Sequence, residues 1–168
     1  WAHPGHSAYS MLTGHHDGTI VLNLNEADDA HREAARVSFG EPQRTVLGHL
    51  RHELAHYFFQ RFIEGRPELA PFRDSFGDER TDYAVALRQH YARGPAADWQ
   101  QHYVSAYASS HPWEDWAETC AHYLLMVEAV DTAAAWGLQL APASGMRVPP
   151  GETAATAPVE RLVVEHWL

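Results

Sequence analysis

One stretch limits the fold of this chain more than any other. Residues 47–63 are apolar on most sides, yet they carry His52 and His56 four positions apart, with Glu53 directly after the first. On a helix positions i and i+4 share a face about one turn apart, so both imidazoles can point at a single spot. A helix apolar on most sides belongs in a domain interior. There, two histidines and a carboxylate cannot stay without partners. The rest of the chain must fold round this helix and supply them. Leu47, Leu50, Leu54, Phe58 and Phe62 read as its apolar stripe, with Phe59 and Ile63 extending toward the histidine side. Gly48 costs about 1 kcal/mol of helix propensity against alanine. Its expected use is to let another segment, such as an edge strand, pass close.

His52-Glu53-Leu54-Ala55-His56 is the H-E-x-x-H pattern, in which two histidines hold one zinc ion and the glutamate serves as base. Catalytic zinc takes three protein ligands and leaves the fourth position to water. The third ligand is expected from a second long helix, Trp113 to Trp136. It carries Glu114, Glu118 and His122 on one face, opposite Trp113, Trp116, Ala117, Cys120, Leu124 and Val127. We assign Glu114 to the metal and Glu118 to the free ring N–H of a ligating histidine, an arrangement that fixes tautomer and basicity. The two glutamates can exchange these roles, and His122 is better placed to line a cleft. The bland alternative is a pair of core histidines beside a solvated acidic stripe. Burying His52, Glu53 and His56 without metal or partners argues against it.

Composition narrows the class. At 168 residues and 45% hydrophobic, the chain can bury the core of a single domain over 1–168. A net charge of −10, with all 12 basic residues arginine and no basic run, speaks against a nucleic-acid surface. No apolar run reaches the roughly 18 residues of a membrane span. The single cysteine, Cys120, fits a reducing compartment, hence a cytoplasmic location. The start at Trp1 without an initiator methionine, and the end inside an amphipathic pattern, suggest truncation at both ends.

Along the chain, Thr13–Gly18 reads as a turn and Thr19–Asn25 as a strand. Asn25 reads as the cap of a helix over 26–37. The long helix runs from Glu41-Pro42 to about Ile63. A Pro-punctuated connection follows, then helices Tyr83–Tyr91 and Asp98–Tyr107, a loop over 138–156 and a last helix from Pro158. Asp78-Glu79-Arg80 reads either as a helix cap or as a group reaching the cleft. The class is α+β, mostly α.

With this ligand set, Glu53 takes a proton from water as a polarised carbonyl is attacked. Tyr57, Tyr107, Tyr123, His111 or Arg80 could donate to the resulting oxyanion. An edge strand over 19–24 could hold an extended peptide.

Three segments, Gly48–Glu53, Phe76–Tyr83 and Ser109–Glu118, resemble the zinc-binding metallopeptidase family of bacteria, many of whose members carry an N-terminal zinc ribbon. Thr13–Gly18 and Asn25–Asp29 also match, so the likeness spans about 12–137. It implies a gluzincin-type zincin fold, one zinc ion and a peptide or protein substrate. Glu114-Asp115-Trp116-Ala117-Glu118 is similar to the Glu-x-x-x-Glu helix of gluzincins, where the first glutamate binds zinc. The ribbon is missing here, Cys120 stands where a large aromatic is expected, and the family extends past Leu168. Two rivals remain on sequence grounds: a zinc-binding interaction module without turnover, and a zinc hydrolase of a non-peptide amide or ester.

Overall fold

In the computed structural model, residues 13–39, 41 and 43–138 are described. The expected helix from Pro158 and most of the 138–156 loop lie outside them. Gly14–His16 (β1) and Thr19–Val21 (β2) form an antiparallel hairpin. Among the described residues five α-helices follow, Asp29–Phe39 (α1), Val46–Phe58 (α2), Leu69–Phe76 (α3), Tyr83–Arg93 (α4) and Pro112–Ala135 (α5). The chain is mostly helical with a small sheet, an α+β arrangement. It forms two compact units, 1–121 and 122–168. No helix among the described residues is long and apolar enough to cross a membrane.

The hairpin is tighter than the sequence suggests. Asp17 (φ 46°) and Gly18 (φ 79°) make its turn, and the strand expected to reach Asn25 stops at Val21. There the Asn23 side chain accepts the Asn25 N–H and starts a 3-10 turn over Leu24–Ala27. The cap is thus Asn23 rather than Asn25, and Asp28 accepts the His31 N–H at the head of α1.

Glu26, buried at the end of that turn, pairs with Arg44 at 2.6 Å, and Arg44 also holds Glu41 at 3.0 Å. This ion triad ties the segment before α1 to the entry of α2. Removing one partner of a buried pair costs about 3–5 kcal/mol, because a charge is left uncompensated. Arg44→Met should lower unfolding free energy by about that amount in urea titrations. Burial opposes charge on Glu26, but the Arg44 hydrogen bond and nearby positive charge win and lower its pKa from 4.5. A lowered folded pKa means stability present above the unfolded value and lost as pH falls through the folded one. The contribution of Glu26 should therefore fade below about pH 4.5.

α2 begins at Val46, with the Thr45 hydroxyl accepting the Gly48 N–H. This explains Gly48 better than a passing strand does. A Cβ there would meet Thr45 Oγ1 at 2.9 Å, and among the described residues no backbone of another segment lies within 4 Å. The helix also turns the opposite way from its apolar stripe. Leu47 and Phe62 are 50% and 60% exposed and Leu50 is exposed as well, whereas Arg51, His52, Glu53, Ala55 and His56 are buried. After Phe58 it widens into a π turn over Phe59–Ile63, a feature common beside functional sites. The Ala55 carbonyl there receives the indole N–H of Trp116 at 2.9 Å, pinning α2 to α5.

α3 was not foreseen, since Pro67 and Pro71 suggested only a connection. Phe72 from it packs on Phe59 and Ile63, with Leu69, Phe76, Trp113 and Trp116 around them. This aromatic core reaches the histidines directly, as Trp113 lies 4.4 Å from the His56 ring. The Asp78-Glu79-Arg80 cluster caps nothing. Asp78 holds Arg80, Glu79 pairs with Arg73 of α3, and Asp82 is the cap of α4. The helix expected over 98–107 is reduced to a 3-10 turn at Trp99–Gln101, followed by another at Ala108–Ser110. In the second unit, the described residues are the rest of α5 and the turn at Gly137 (φ 65°).

Candidate metal centre

α2 and the first turns of α5 bring three donor atoms together. His52, His56 and Glu114, all buried, each offer one ligand atom, and these atoms lie within 4.8 Å of one another. His52 Nε2 is 3.1 Å from His56 Nε2 and 3.0 Å from Glu114 Oε2, which in turn is 3.6 Å from His56 Nε2. Glu114 is only 1% exposed. Its position in the first turn of α5 suits an acidic side chain, because the helix N-terminus carries positive partial charge.

The remaining polar atoms are arranged to hold these three. The other His52 nitrogen, Nδ1, lies 2.8 Å from Glu118 Oε1. Glu118 Oε2 accepts the Ser105 hydroxyl at 2.7 Å, and Ser105 Oγ accepts the Ala108 N–H at 3.0 Å. Donation from Nδ1–H to Glu118 leaves His52 Nε2 as a lone pair facing the Glu114 oxygen. The Tyr83 hydroxyl donates to the other carboxylate oxygen, Oε1, at 2.5 Å.

Two kinds of cation suit such a cluster. With protons alone, burial disfavours charge on His52, but Glu114 and Glu118 outweigh it and push its pKa up to about 10. Complete burial likewise opposes charge on Glu114, yet His52 and His56 hold its carboxyl below the usual range. A metal ion fits the geometry better. His52 Nε2 and His56 Nε2 are close enough to share one proton at 3.1 Å, but that arrangement leaves the buried Glu114 Oε2 with no hydrogen bond among the described residues. Two neutral histidines and one carboxylate form a donor set typical of a catalytic zinc. A group that orients a ligand typically contributes about 10–100-fold to metal affinity. Glu118→Ala should weaken zinc binding within that range in a chelator competition, without abolishing it.

Glu53 stands beside the cluster, buried on α2. Burial raises its pKa, against the pull of His52 and His56. It is a stronger base than an exposed glutamate.

Of the oxyanion candidates, several are engaged elsewhere. His111 is buried with both nitrogens occupied. Nδ1 accepts the Trp113 N–H at 3.0 Å, and Nε2 contacts the Thr81 carbonyl at 2.9 Å, so no ring N–H is left for a substrate. Arg80 is held by Asp78 with its side chain 69% exposed. The Tyr107 hydroxyl is buried next to that of Tyr83. His122 and Tyr123 belong to the second unit, His122 exposed and Tyr123 half-buried. Tyr57 follows His56 directly and packs edge-on against His15 of β1. With Asp17, Gly18, Gln60 and Arg61 it lines a cavity of about 510 Å³.

Sequence reasoning missed Tyr83, Ser105 and His15. The first two act across 31 and 13 residues; Tyr83 closes the Phe76–Tyr83 segment, but nothing there marks it as a partner of Glu114. His15 falls in the Thr13–Gly18 segment that reads as a turn. It accepts the Gly18 N–H at 3.1 Å, and burial and His56 keep its pKa low.

Two packed helices that present two histidines and a buried glutamate at one point define a candidate metal site. The chain belongs to the family described as "Putative zinc-binding metallo-peptidase", whose profile matches residues 2–168. It is also 46% identical over 159 residues to uncharacterized proteins of Mycobacterium bovis and Mycobacterium tuberculosis, covering 94% of this chain and 47% of theirs. The chain thus spans about half the length of the curated relatives it matches. No solved structure matches it.

Proposed function

We propose that residues 1–168 form one gluzincin-type zincin domain, and that it is a cytoplasmic peptidase binding one zinc ion through His52, His56 and Glu114. The observation that carries this reading is the buried Glu114 Oε2. It accepts no hydrogen bond among the described residues while facing both histidine Nε2 atoms. Glu114 is preferred to Glu118 because Glu118 is already turned to His52 Nδ1 and Ser105.

When bound, zinc supplies a Lewis acid that acidifies water toward a pKa of about 7 and polarises a carbonyl. The chain's own residues do the rest. Glu53, made more basic by burial, takes the proton of the attacking water and returns it to the leaving amine. Glu118 holds the His52 ring in one orientation through Nδ1. Among the described residues the hairpin beside Tyr57 has no third strand, which leaves an edge along which an extended peptide can pair. Incubating the zinc-loaded chain with a broad peptide library tests the reading. Cleavage that stops on chelation and returns with zinc supports it; zinc binding without any cleavage points instead to a binding module or a non-peptide substrate.

A further inference from the structure

We infer that Tyr83 is a positioning residue that confines Glu114 to metal binding through one oxygen. This deepens the zinc-site reading and rests on it. The two oxygens of this buried carboxylate have separate surroundings. Oε1 receives the Tyr83 hydroxyl at 2.5 Å, whereas Oε2 accepts no hydrogen bond among the described residues and faces the two histidines. A carboxylate with both oxygens free can rotate and bind with both, taking the position that a catalytic zinc keeps for water. Tyr83 opposes that rotation.

The surroundings fix Tyr83 for this duty. It is the first residue of α4, whose start is capped by Asp82. Its ring packs edge-on against His111 at 5.2 Å and Trp113 at 5.8 Å. His111 in turn links the Thr81 carbonyl, two residues before Tyr83, to the Trp113 N–H, next to Glu114. One buried imidazole thereby sets the spacing between the start of α4 and the start of α5. That spacing brings the tyrosine hydroxyl to the glutamate. A phenol with the ordinary pKa of about 10 keeps its proton, and so remains a donor, through the neutral range.

Tyr83→Phe removes one oxygen and keeps the ring packing. Zinc affinity, read by chelator competition, should fall about 10–100-fold, as for other groups that orient a ligand. The cobalt-substituted variant should show weaker visible absorption than the wild type, as Oε1 joins the coordination. A residue that only supports the fold would shift melting temperature without altering that spectrum. X-ray absorption on the zinc-loaded wild type provides a second reading that needs no variant, and one carboxylate oxygen at bonding distance is expected. A bidentate glutamate in the wild type, or wild-type affinity and spectrum in Tyr83→Phe, overturns this inference alone. A wild-type chain that takes up no zinc overturns the metal site as well.

Discussion

Glu53→Gln is expected to keep its zinc and to lose about a hundred- to ten-thousandfold in kcat/KM, the usual contribution of a positioned general base. The amide has nearly the shape of the carboxylate, so packing on α2 is preserved, but it cannot accept the proton of the attacking water. Glu53 is adjacent to His52, so a structural disturbance would appear first as lost metal. Kinetics on a peptide from the library, with zinc content measured on the same sample, separates the two. Activity loss with full zinc supports the assigned base. Zinc lost together with activity would move Glu53 from chemistry to site structure.

Glu114→Ala is expected to act on the metal itself. It removes the one anionic ligand and leaves the Tyr83 hydroxyl without its acceptor. Its effect on zinc affinity should exceed the roughly 100-fold reached by orienting groups. Stability reports this independently of turnover. At zinc about 100 times its dissociation constant, binding stabilises the folded wild type by about 2.7 kcal/mol. Glu114→Ala should show almost none of that increment at the same zinc concentration. Thermal unfolding with and without zinc, run side by side for both proteins, measures the difference.

What the sequence made legible follows from which interactions are local. The i, i+4 spacing of His52 and His56 dictates their shared face, and the same helical rule links Glu114 to Glu118 on α5. The orientation of α2 was misread for a physical reason. Apolar residues normally mark the buried face, but here Arg51, His52, Glu53 and His56 are inside while Leu47 and Phe62 are exposed. Glu114 and Glu118 on α5 meet His52 and His56 there, and an apolar count along α2 does not register that pairing. Gly-His-His at β1 looked like a turn because strand pairing, not propensity, defines it. The aromatic run over 98–107 looked helical, yet Ser105 and Tyr107 lie in irregular backbone between two 3-10 turns. Tyr83 and Ser105 carry no spacing signal, since each is brought to its carboxylate by the fold.

Zinc content per chain is the most direct check on the two-helix site, measured after metal loading and dialysis for wild type, Glu53→Gln, Glu114→Ala and Glu118→Ala. The expected pattern is one zinc in the wild type and in Glu53→Gln, weakened retention in Glu118→Ala, and none in Glu114→Ala. Full zinc in Glu114→Ala with none in Glu118→Ala would contradict it and exchange the two glutamates.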